Sequence, residues 1–293
     1  MSLDALLHRQ EPSAFERFTA NPALFLAEKL YRLHASRASS AAQALVEPST
    51  SVRVICISDT HSQHADLPVL PPGDLLIHAG DLTQSGTLPE LRSALEWLAA
   101  QPHMYKVFIA GNHDVGLNGD CSDLLASFPE LRYLRESSVT LNVRGRELVV
   151  YGSPMTPKHG SWPFQYPREQ ADWSSIPPET DILVTHGPPA FHLDGKWQSG
   201  CRILLDRLWR VRPRLHIFGH IHAARGVEHL DWSAAQAAYE RICSRRGGWW
   251  DILVLITRLL FLRTAGTVTT LVNAASLGGF RDEQRRGALV VDI

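Results

Sequence analysis

The sequence contains few cysteines, and they are not grouped. Its four cysteines, Cys56, Cys121, Cys201 and Cys243, lie far apart and form no Cys-x-x-Cys pair. This spacing argues against a structural zinc module and against a disulfide framework, because both need thiols at characteristic spacings. We therefore expect reduced thiols and predict a cytoplasmic protein.

The chain also lacks an excess of charge of either sign. Lysine and arginine total 29 and aspartate and glutamate total 30, which gives a formal net charge of −1. No global field therefore attracts nucleic acid or an acidic membrane, and we expect no nucleic-acid partner. The amino terminus, Met1–Asp4, lacks the basic region and continuous apolar segment of a secretory signal, so none is expected.

Internal repeats and long low-complexity tracts are missing as well. The 293 residues are 44% hydrophobic and 20% charged, which is typical of a globular protein with a sizeable core. Leucines at helical spacing predict an N-terminal helical extension over residues 1–50, whose second part, Ala35–Thr50, is predicted to be a linker or a loosely packed arm. The main domain is predicted over 51–293, with a helical insertion at about 231–265.

Apolar runs that are typical of buried strands recur along the main domain, and helical patterns lie between them. Helices are indicated by Leu91, Leu95 and Leu98 after Pro89, and again at Cys201–Arg210. The alternation predicts an α/β fold whose polar residues gather along one edge of a sheet. The predicted strands are Val52–Ile57, Asp74–His78, Tyr105–Ala110, Glu147–Tyr151, Asp181–Thr185, Leu215–Phe218, Thr267–Ala274 and Gly287–Ile293.

Five of these strands end in residues that can bind a metal ion. Taken singly, each of those residues could equally be a hydrogen-bonded structural residue, so the argument depends on the ordered set. Carboxylate and amide oxygens mixed with imidazole nitrogens, without sulfur, suit Mn²⁺, Fe or Zn²⁺ in a site that is not structural zinc. The candidate ligands are Asp59, His61, Asp81, Asn112, His186, His220 and His222.

So many ligands exceed the needs of one ion, and they fit two divalent ions that share a carboxylate. Two ions held about 4 Å apart can bridge a water, lower its pKa and clamp a phosphoryl oxygen. A metal-bridging hydroxide would then be the nucleophile, so that no serine or cysteine nucleophile is needed.

The strand-end motifs also have a familiar order. In sequence they are Asp59-x-His61, Gly80-Asp81, Gly111-Asn112-His113-Asp114, His186 and Gly219-His220-x-His222. This order resembles the calcineurin-like metallophosphoesterase superfamily, and the flanking residues are similar to its metallophosphoesterase-domain-containing branch, which is related to class III cyclic-nucleotide phosphodiesterases. The resemblance covers residues 52–230 and resumes at Thr267–Ile293. It implies an α/β fold with a two-sheet β-sandwich flanked by helices, and a dimetal site at the strand ends.

The resemblance further implies a role for each motif residue. Asp81 would bridge the two ions, and His113 would stabilise or protonate the leaving group while Asp114 orients its ring. The protein phosphatases of this superfamily continue Gly-Asp with an Asp-Arg-Gly turn, whereas this chain has Leu82–Gly86. Small phosphodiesters or phosphomonoesters are therefore the expected substrates. The ligands implied for the first ion are Asp59, His61 and His222, and those for the second are Asn112, His186 and His220.

The irregular stretch from Gly152 to Trp173 offers candidate substrate contacts. Trp162 and Phe164 could stack on a base or an apolar leaving group, and Arg168 could meet phosphate. The alternative is that these three side chains pack the loop. Within the strands, His78 and His216 are expected to be buried structural histidines.

The apolar stretch Trp249–Leu262 has two interpretations. Its length and its charges, Asp251 and Arg258, are incompatible with a bilayer span, which needs about 20 apolar residues. It is predicted either to pack against the domain or to form an interfacial membrane helix or a partner surface. The second interpretation would make the chain a metal-binding regulatory or scaffold protein that docks through this segment on a protein partner or, peripherally, on a membrane. A biosynthetic enzyme that uses the metals as Lewis acids is a further alternative, and the oligomeric state is left open.

Overall fold

A computed structural model describes residues 12–44, 51–261, 267–279 and 282–293. These residues form two compact units. The larger unit contains the described residues between 42 and 230 and between 267 and 293, and the smaller unit contains those between 12 and 41 and between 231 and 261. The predicted leucine-rich helix around Leu3–Leu7 lies outside the described residues.

The described strands all belong to the larger unit, and the helices are divided between the two units. The strands are β1 Arg53–Ile57, β2 Leu75–Ala79, β3 Tyr105–Ile109, β4 Leu131–Tyr133, β5 Ser137–Val143, β6 Arg146–Ser153, β7 Thr156–Pro157, β8 Gln165–Tyr166, β9 Ile182–Thr185, β10 Leu215–Phe218, β11 Gly226–Leu230, β12 Thr269–Asn273, β13 Leu277–Gly278, β14 Gln284–Arg285 and β15 Leu289–Asp292. The α-helices are α1 Ala14–Ala20, α2 Pro22–Ala44, α3 Leu88–Ala99, α4 Ser122–Ala126, α5 Arg202–Val211, α6 Ala234–Cys243 and α7 Trp249–Phe261. Short 3₁₀ turns are formed by His64–Asp66, Val115–Leu117, Arg168–Gln170 and His222–Ala224.

Two mixed sheets organise the larger unit. The five-stranded sheet has the order β15-β1-β2-β3-β4, in which β1 to β4 are parallel and β15 is antiparallel. The six-stranded sheet has the order β11-β12-β10-β9-β6-β5, with parallel pairing from β12 to β6 and an antiparallel strand at each edge. Because parallel strands end at the same edge of a sheet, the turns after β1, β2 and β3 are neighbours, and so are those after β9 and β10.

The five-stranded sheet is buried on both faces. Val54 and Cys56 of β1 pack with Ile182 of the opposite sheet in the sandwich core, whereas Ile55 faces the other way and packs with Leu95 of α3. Successive side chains on a strand point to opposite faces, so burial of both faces requires a continuous apolar run. That requirement explains why the strands were visible in the sequence, and the predicted α/β sandwich flanked by helices is confirmed.

The smaller unit is helical. Ala27 of α2 packs with Ala238 and Ile242 of α6 and with Ile252 and Leu255 of α7. No helix in the part of the chain that the structure describes is long and apolar enough to cross a membrane.

One stretch is more regular than predicted, and some strands were missed. The stretch Ala35–Thr50, predicted to be a linker or a loosely packed arm, is helical as far as Ala44, and residues 45–50 lie outside the described residues. Alanine has the highest helix propensity, so an alanine-rich stretch continues a helix that has already begun. The strands β4 and β5 were not predicted. β4 has only 3 residues, and β5 lacks a continuous apolar run. The alternation of β5 from Val139 to Val143 is itself a strand signal that the prediction did not use.

Candidate metal centre

The turns that carry the candidate ligands have an unusual backbone. φ is +53° at Asp59, +42° at His61, +53° at Asp81 and +67° at His220. The left-handed region costs a non-glycine residue about 1–3 kcal/mol, so the surrounding structure must hold these residues in place. The turns after β1 and β2 hold each other, because the Asp59 N–H donates to the carbonyl of Gly80 at 2.9 Å and the His61 N–H donates to that of Asp81 at 3.1 Å.

Two motif glycines make room for the carboxylates. A Cβ atom at Gly219 would run into Oδ2 of Asp59, and a Cβ atom at Gly111 would run into Oδ1 of Asp81. Any other residue at these positions would displace a candidate ligand, which explains why the motifs need glycine there.

Asp59, His61 and His222 form the first group of candidate ligands. Nε2 of His222 lies 3.3 Å from Oδ1 of Asp59 and 3.4 Å from Nε2 of His61. With metal–ligand bonds of about 2.1 Å, neighbouring ligand atoms of a tetrahedral or octahedral site are about 3.0–3.4 Å apart. The separations in this group therefore fit one ion.

The second group contains Asn112, His186 and His220. Nε2 of His186 lies 3.1 Å from Oδ1 of Asn112 and 3.2 Å from Oδ2 of Asp81. His220, His186 and Asp81 offer ligand atoms that all lie within 4.8 Å of one another. The same Asp81 oxygen is 3.7 Å from Nε2 of His61 in the first group. The structure thus brings all seven predicted ligands together, with Asp81 facing both groups.

Hydrogen bonds determine which imidazole nitrogens can bind a metal. Nδ1 of His186 lies 2.9 Å from the carbonyl oxygen of Ala79, and Nδ1 of His222 lies 2.7 Å from Oδ1 of Asp282. Because a carbonyl and a carboxylate can only accept, both Nδ1 atoms donate, and Nε2 is left to face the other ligands. This is the tautomer that a metal at Nε2 requires.

The electrostatics of the cluster also suit a cation. Although burial opposes it, the imidazole of His222 holds the pKa of the Asp59 carboxyl well below its usual range. At Asp81 burial again favours a higher pKa, but the imidazole of His186 outweighs it and lowers the pKa of the carboxyl to about 2. Burial lowers the pKa of His220 to about 3, so this imidazole is neutral at pH 7. At His186 and His222 burial is outweighed by the neighbouring carboxylates, which raise the pKa of both imidazoles to about 9, so a bound cation would replace a proton at Nε2 of each ring. Carboxylates beside imidazole and amide donors, without thiols, form a donor set that fits Mn²⁺, Fe or Zn²⁺.

His113 lies beside the ligands in a defined orientation. Its Nδ1 donates to the carbonyl of Gln84 at 2.7 Å. Nε2 is therefore the ring nitrogen that does not take part in this hydrogen bond. The ring stacks on Trp162 with centroids 4.5 Å apart and meets His61 edge-on at 4.7 Å. The predicted acid and one predicted substrate contact are therefore neighbours.

The prediction that Asp114 orients the His113 ring is wrong. The buried carboxylate of Asp114 accepts hydrogen bonds from the N–H groups of Gly111, Leu82 and Thr83 and from the Thr83 hydroxyl, at 2.7–3.1 Å. Because the turn directs neighbouring side chains in different directions, Asp114 points into the turn while His113 points out of it. Asp114 therefore fixes the turns after β2 and β3 to each other.

The other two predicted substrate contacts pack the loop, in line with the alternative interpretation. Phe164 is buried in the core beneath the guanidinium of Arg135, which lies 5.2 Å from its ring centroid. Arg168 donates to the carbonyls of Ser199 and Gly200 at 3.1 and 3.0 Å. Trp162 remains partly exposed, so the substrate role predicted for it stays a prediction.

Two residues beside the ligands were missed in the sequence. Asp282 binds Nδ1 of His222, and the ring of His159 lies 4.6 Å from that of His220. Asp282 belongs to an irregular segment with no motif spacing, and His159 follows the short strand β7. Their roles depend on contacts between distant segments, for which the sequence carried no signal.

Comparison with known proteins relates the chain to phosphoesterases. The family model described as calcineurin-like phosphoesterase matches residues 52–224. The chain is 46% identical over 309 residues to "Probable rhamnogalacturonate lyase C" of Emericella nidulans, an alignment that covers 99% of this chain and 29% of that protein. It is 41% identical over 212 residues to human metallophosphoesterase domain-containing protein 1, covering 62% of this chain and 64% of that protein. The chain thus spans less than two thirds of either relative.

Among solved structures, the chain is similar to a phosphopantetheinyl hydrolase from Mycobacterium tuberculosis. The two are 19% identical with a TM-score of 0.39, and the match covers 61% of this chain and 86% of that one.

Proposed function

The chain belongs to the calcineurin-like phosphoesterase family, and we propose that it is a dinuclear-metal-dependent phosphoesterase that hydrolyses small phosphodiesters or phosphomonoesters. The observation that carries the proposal is the position of Asp81. One of its oxygens faces His61 in one ligand group and His186 in the other. A carboxylate placed in this way supports a site for two ions rather than one.

The protein's residues would divide the work as follows. Asp59, His61 and His222 would hold one ion, Asn112, His186 and His220 the other, and Asp81 both. When bound, two such ions supply Lewis acidity that activates water and neutralises charge on a phosphoryl group. His113, held through Nδ1 by the carbonyl of Gln84, would present Nε2 to the leaving oxygen and donate a proton there.

The surroundings favour a small substrate. The protein phosphatases of this superfamily have an arginine that grips phosphate in the turn after Gly-Asp, whereas this chain has Leu82 and Thr83 directly after Asp81. The Thr83 hydroxyl donates a hydrogen bond to the Asp114 carboxylate. Trp162, stacked on His113 and partly exposed, offers one indole face for a planar or apolar leaving group.

Hydrolysis of aryl phosphoesters by the full chain tests the proposal. Purified protein would be assayed with Mn²⁺, Zn²⁺ or Fe²⁺ against bis(p-nitrophenyl) phosphate and p-nitrophenyl phosphate. Asn112→Ala and His220→Ala should each lower the metal-dependent rate by orders of magnitude. Asn142→Ala, an exposed asparagine on β5, is the matched control and should retain the rate. Equal background rates in the wild type and both site variants would overturn the proposal.

Two other outcomes decide between functions. The lyase named among the relatives is a longer protein of which this chain spans 29%, so lyase activity is an alternative outcome of the test rather than the expected one. Formation of an unsaturated uronide from rhamnogalacturonate, unaffected by Asn112→Ala, would favour a lyase. Metal binding without turnover of any phosphoester would favour the regulatory or scaffold alternative.

A further inference from the structure

Helix α7 exposes a large apolar surface. Five side chains form it, and between 46% and 78% of each is exposed. We name this surface the outer face of α7. Its members are Trp249, Trp250, Leu253, Leu260 and Phe261.

The outer face is continuous and uncharged. At 100° per residue, its five members fall within an arc of about 120°, and the one other residue in that arc is Thr257. Ile252 and Leu255 lie on the opposite side, where they pack against α2 and α6. The helix therefore has two apolar arcs, and packing within its own unit uses only one of them. An uncharged arc of this size on a helix surface indicates an interaction site.

The exposed charges of the segment that contains α7 have one sign. From Ser233 to Phe261 the acidic residues are Glu240 and Asp251, and both are buried. Asp251 is paired with Arg241 at 2.6 Å and also caps the start of α7 by accepting from Gly248 N–H. Arg245 and Arg246 are exposed in the turn directly before Trp249. A chain with a net charge of −1 thus places accessible positive charge beside its exposed tryptophans.

These features fit a lipid surface better than an apolar protein groove. Tryptophan next to arginine is the composition of the membrane–water interface, where the indole lies among headgroups and the guanidinium meets lipid phosphate. A helix of 13 residues is about 20 Å long, so it would lie along a bilayer rather than cross it. We propose that the outer face of α7, with Arg245 and Arg246, docks the protein reversibly on anionic lipid.

Vesicle co-sedimentation of the full chain tests this proposal. The wild type should co-sediment with vesicles of phosphatidylcholine and phosphatidylserine and much less with phosphatidylcholine alone. The variant Trp250→Ser/Phe261→Ser should lower the partition coefficient by at least about tenfold. The variant Arg245→Gln/Arg246→Gln should lower the partition coefficient by roughly fivefold for each arginine at low salt. The decrease should become smaller as the salt concentration is raised.

Matched controls distinguish binding through the outer face of α7 from non-specific binding by other exposed apolar or cationic side chains. Val69→Ser/Met104→Ser removes two other strongly exposed apolar side chains, and Arg92→Gln/Arg210→Gln removes two other exposed arginines. Both controls should bind vesicles like the wild type. Circular dichroism should show that every variant is folded, which is expected because the altered side chains are exposed.

Three results would overturn the proposal. The first is equal vesicle binding by the wild type and both α7 variants. The second is a concentration-dependent dimer in sedimentation velocity that Trp250→Ser/Phe261→Ser dissolves while vesicles bind nothing, since the face would then join two copies. The third is the absence of both vesicle binding and self-association. Hydrolysis of a soluble phosphoester should be the same in all these variants, so failure of lipid docking is distinguishable from failure of the proposed activity.

Discussion

The carboxylate of Asp282 lies 2.7 Å from Nδ1 of His222 and so determines which nitrogen of that imidazole faces Asp59 and His61. A carboxylate on the far side of a ligating imidazole fixes the ring, selects the tautomer and increases the basicity of Nε2. Asp282 would thus act on a metal only through His222. It would be a positioning residue, contributed by a segment that the sequence motifs do not include.

Removing this carboxylate should weaken metal binding. Asp282→Ala is expected to lower the affinity for Mn²⁺ or Zn²⁺ by about 10–100-fold, and Asp282→Asn, which still accepts the Nδ1–H bond, should lower it less. Titration calorimetry of metal-free protein would measure both affinities. Asp292→Asn, which alters an exposed carboxylate paired with Arg53, is the control. Unchanged affinity in Asp282→Ala would show that His222 does not need its partner.

The orientation of His113 leads to a prediction about leaving groups. If Nε2 protonates the leaving oxygen, His113→Asn should lower kcat by about 10²–10⁴-fold for an alkyl phosphoester, whose alkoxide is a poor leaving group. The loss should be much smaller for a nitrophenyl ester, because nitrophenolate departs without a proton. Steady-state kinetics on both substrates would measure the difference. The same loss on both would contradict the role of a proton donor and indicate a structural one.

The strand-end residues were predictable because of how the strands are buried. Each strand that leads into the site is covered on both faces, so apolar runs stand out in the sequence and the polar residues that end them stand out as well. Since parallel strands end together, Asp59, Asp81 and Asn112 could be placed at one edge before any contact was known. The same reasoning predicted that His78 and His216 are buried, which is confirmed.

The rest of the site depends on side-chain directions and on distant contacts. Asp114 follows His113 directly, and nothing in the sequence shows that the turn sends one side chain inward and the other outward. Asp282 and His159 reach the ligands only after separate segments have folded together. Phe164 and Arg168 have side chains that could contact a substrate. In the structure, however, Phe164 is buried in the core, and Arg168 donates hydrogen bonds to two backbone carbonyls.

The hydrogen bonds of Asp114 predict a structural effect. In Asp114→Asn, the NH₂ group of the amide would face backbone N–H groups whose hydrogen bonds the carboxylate accepts in the wild type. Because those donors would lose their acceptor, the free energy of unfolding should fall by about 2–5 kcal/mol. Urea unfolding would measure it. Asp120→Asn is the matched control and should cost about 1 kcal/mol or less, because Asp120 is an exposed carboxylate that bonds only to Ser122 among the contacts described. Full stability with a reduced kcat would instead restore the orienting role for Asp114.

Buried His216 should make stability depend on pH. It lies inside the six-stranded sheet, with Nε2 2.8 Å from the hydroxyl of Thr185, and burial lowers the pKa of its imidazole to about 3. In the unfolded chain the pKa is about 6.5, so below that pH the unfolded state binds a proton that the folded state does not. This histidine therefore lowers the free energy of unfolding as pH falls from about 6.5 toward about 3.

The variant His216→Gln isolates this contribution. Glutamine can still donate to the Thr185 hydroxyl but does not titrate. Between about pH 6 and about pH 4, the free energy of unfolding should fall less steeply in the variant than in the wild type, by about 1.4 kcal/mol per pH unit. Urea unfolding at a series of pH values, with chelator present in both proteins, would give the two slopes. Parallel slopes would mean that His216 binds its proton equally well in the folded and unfolded states.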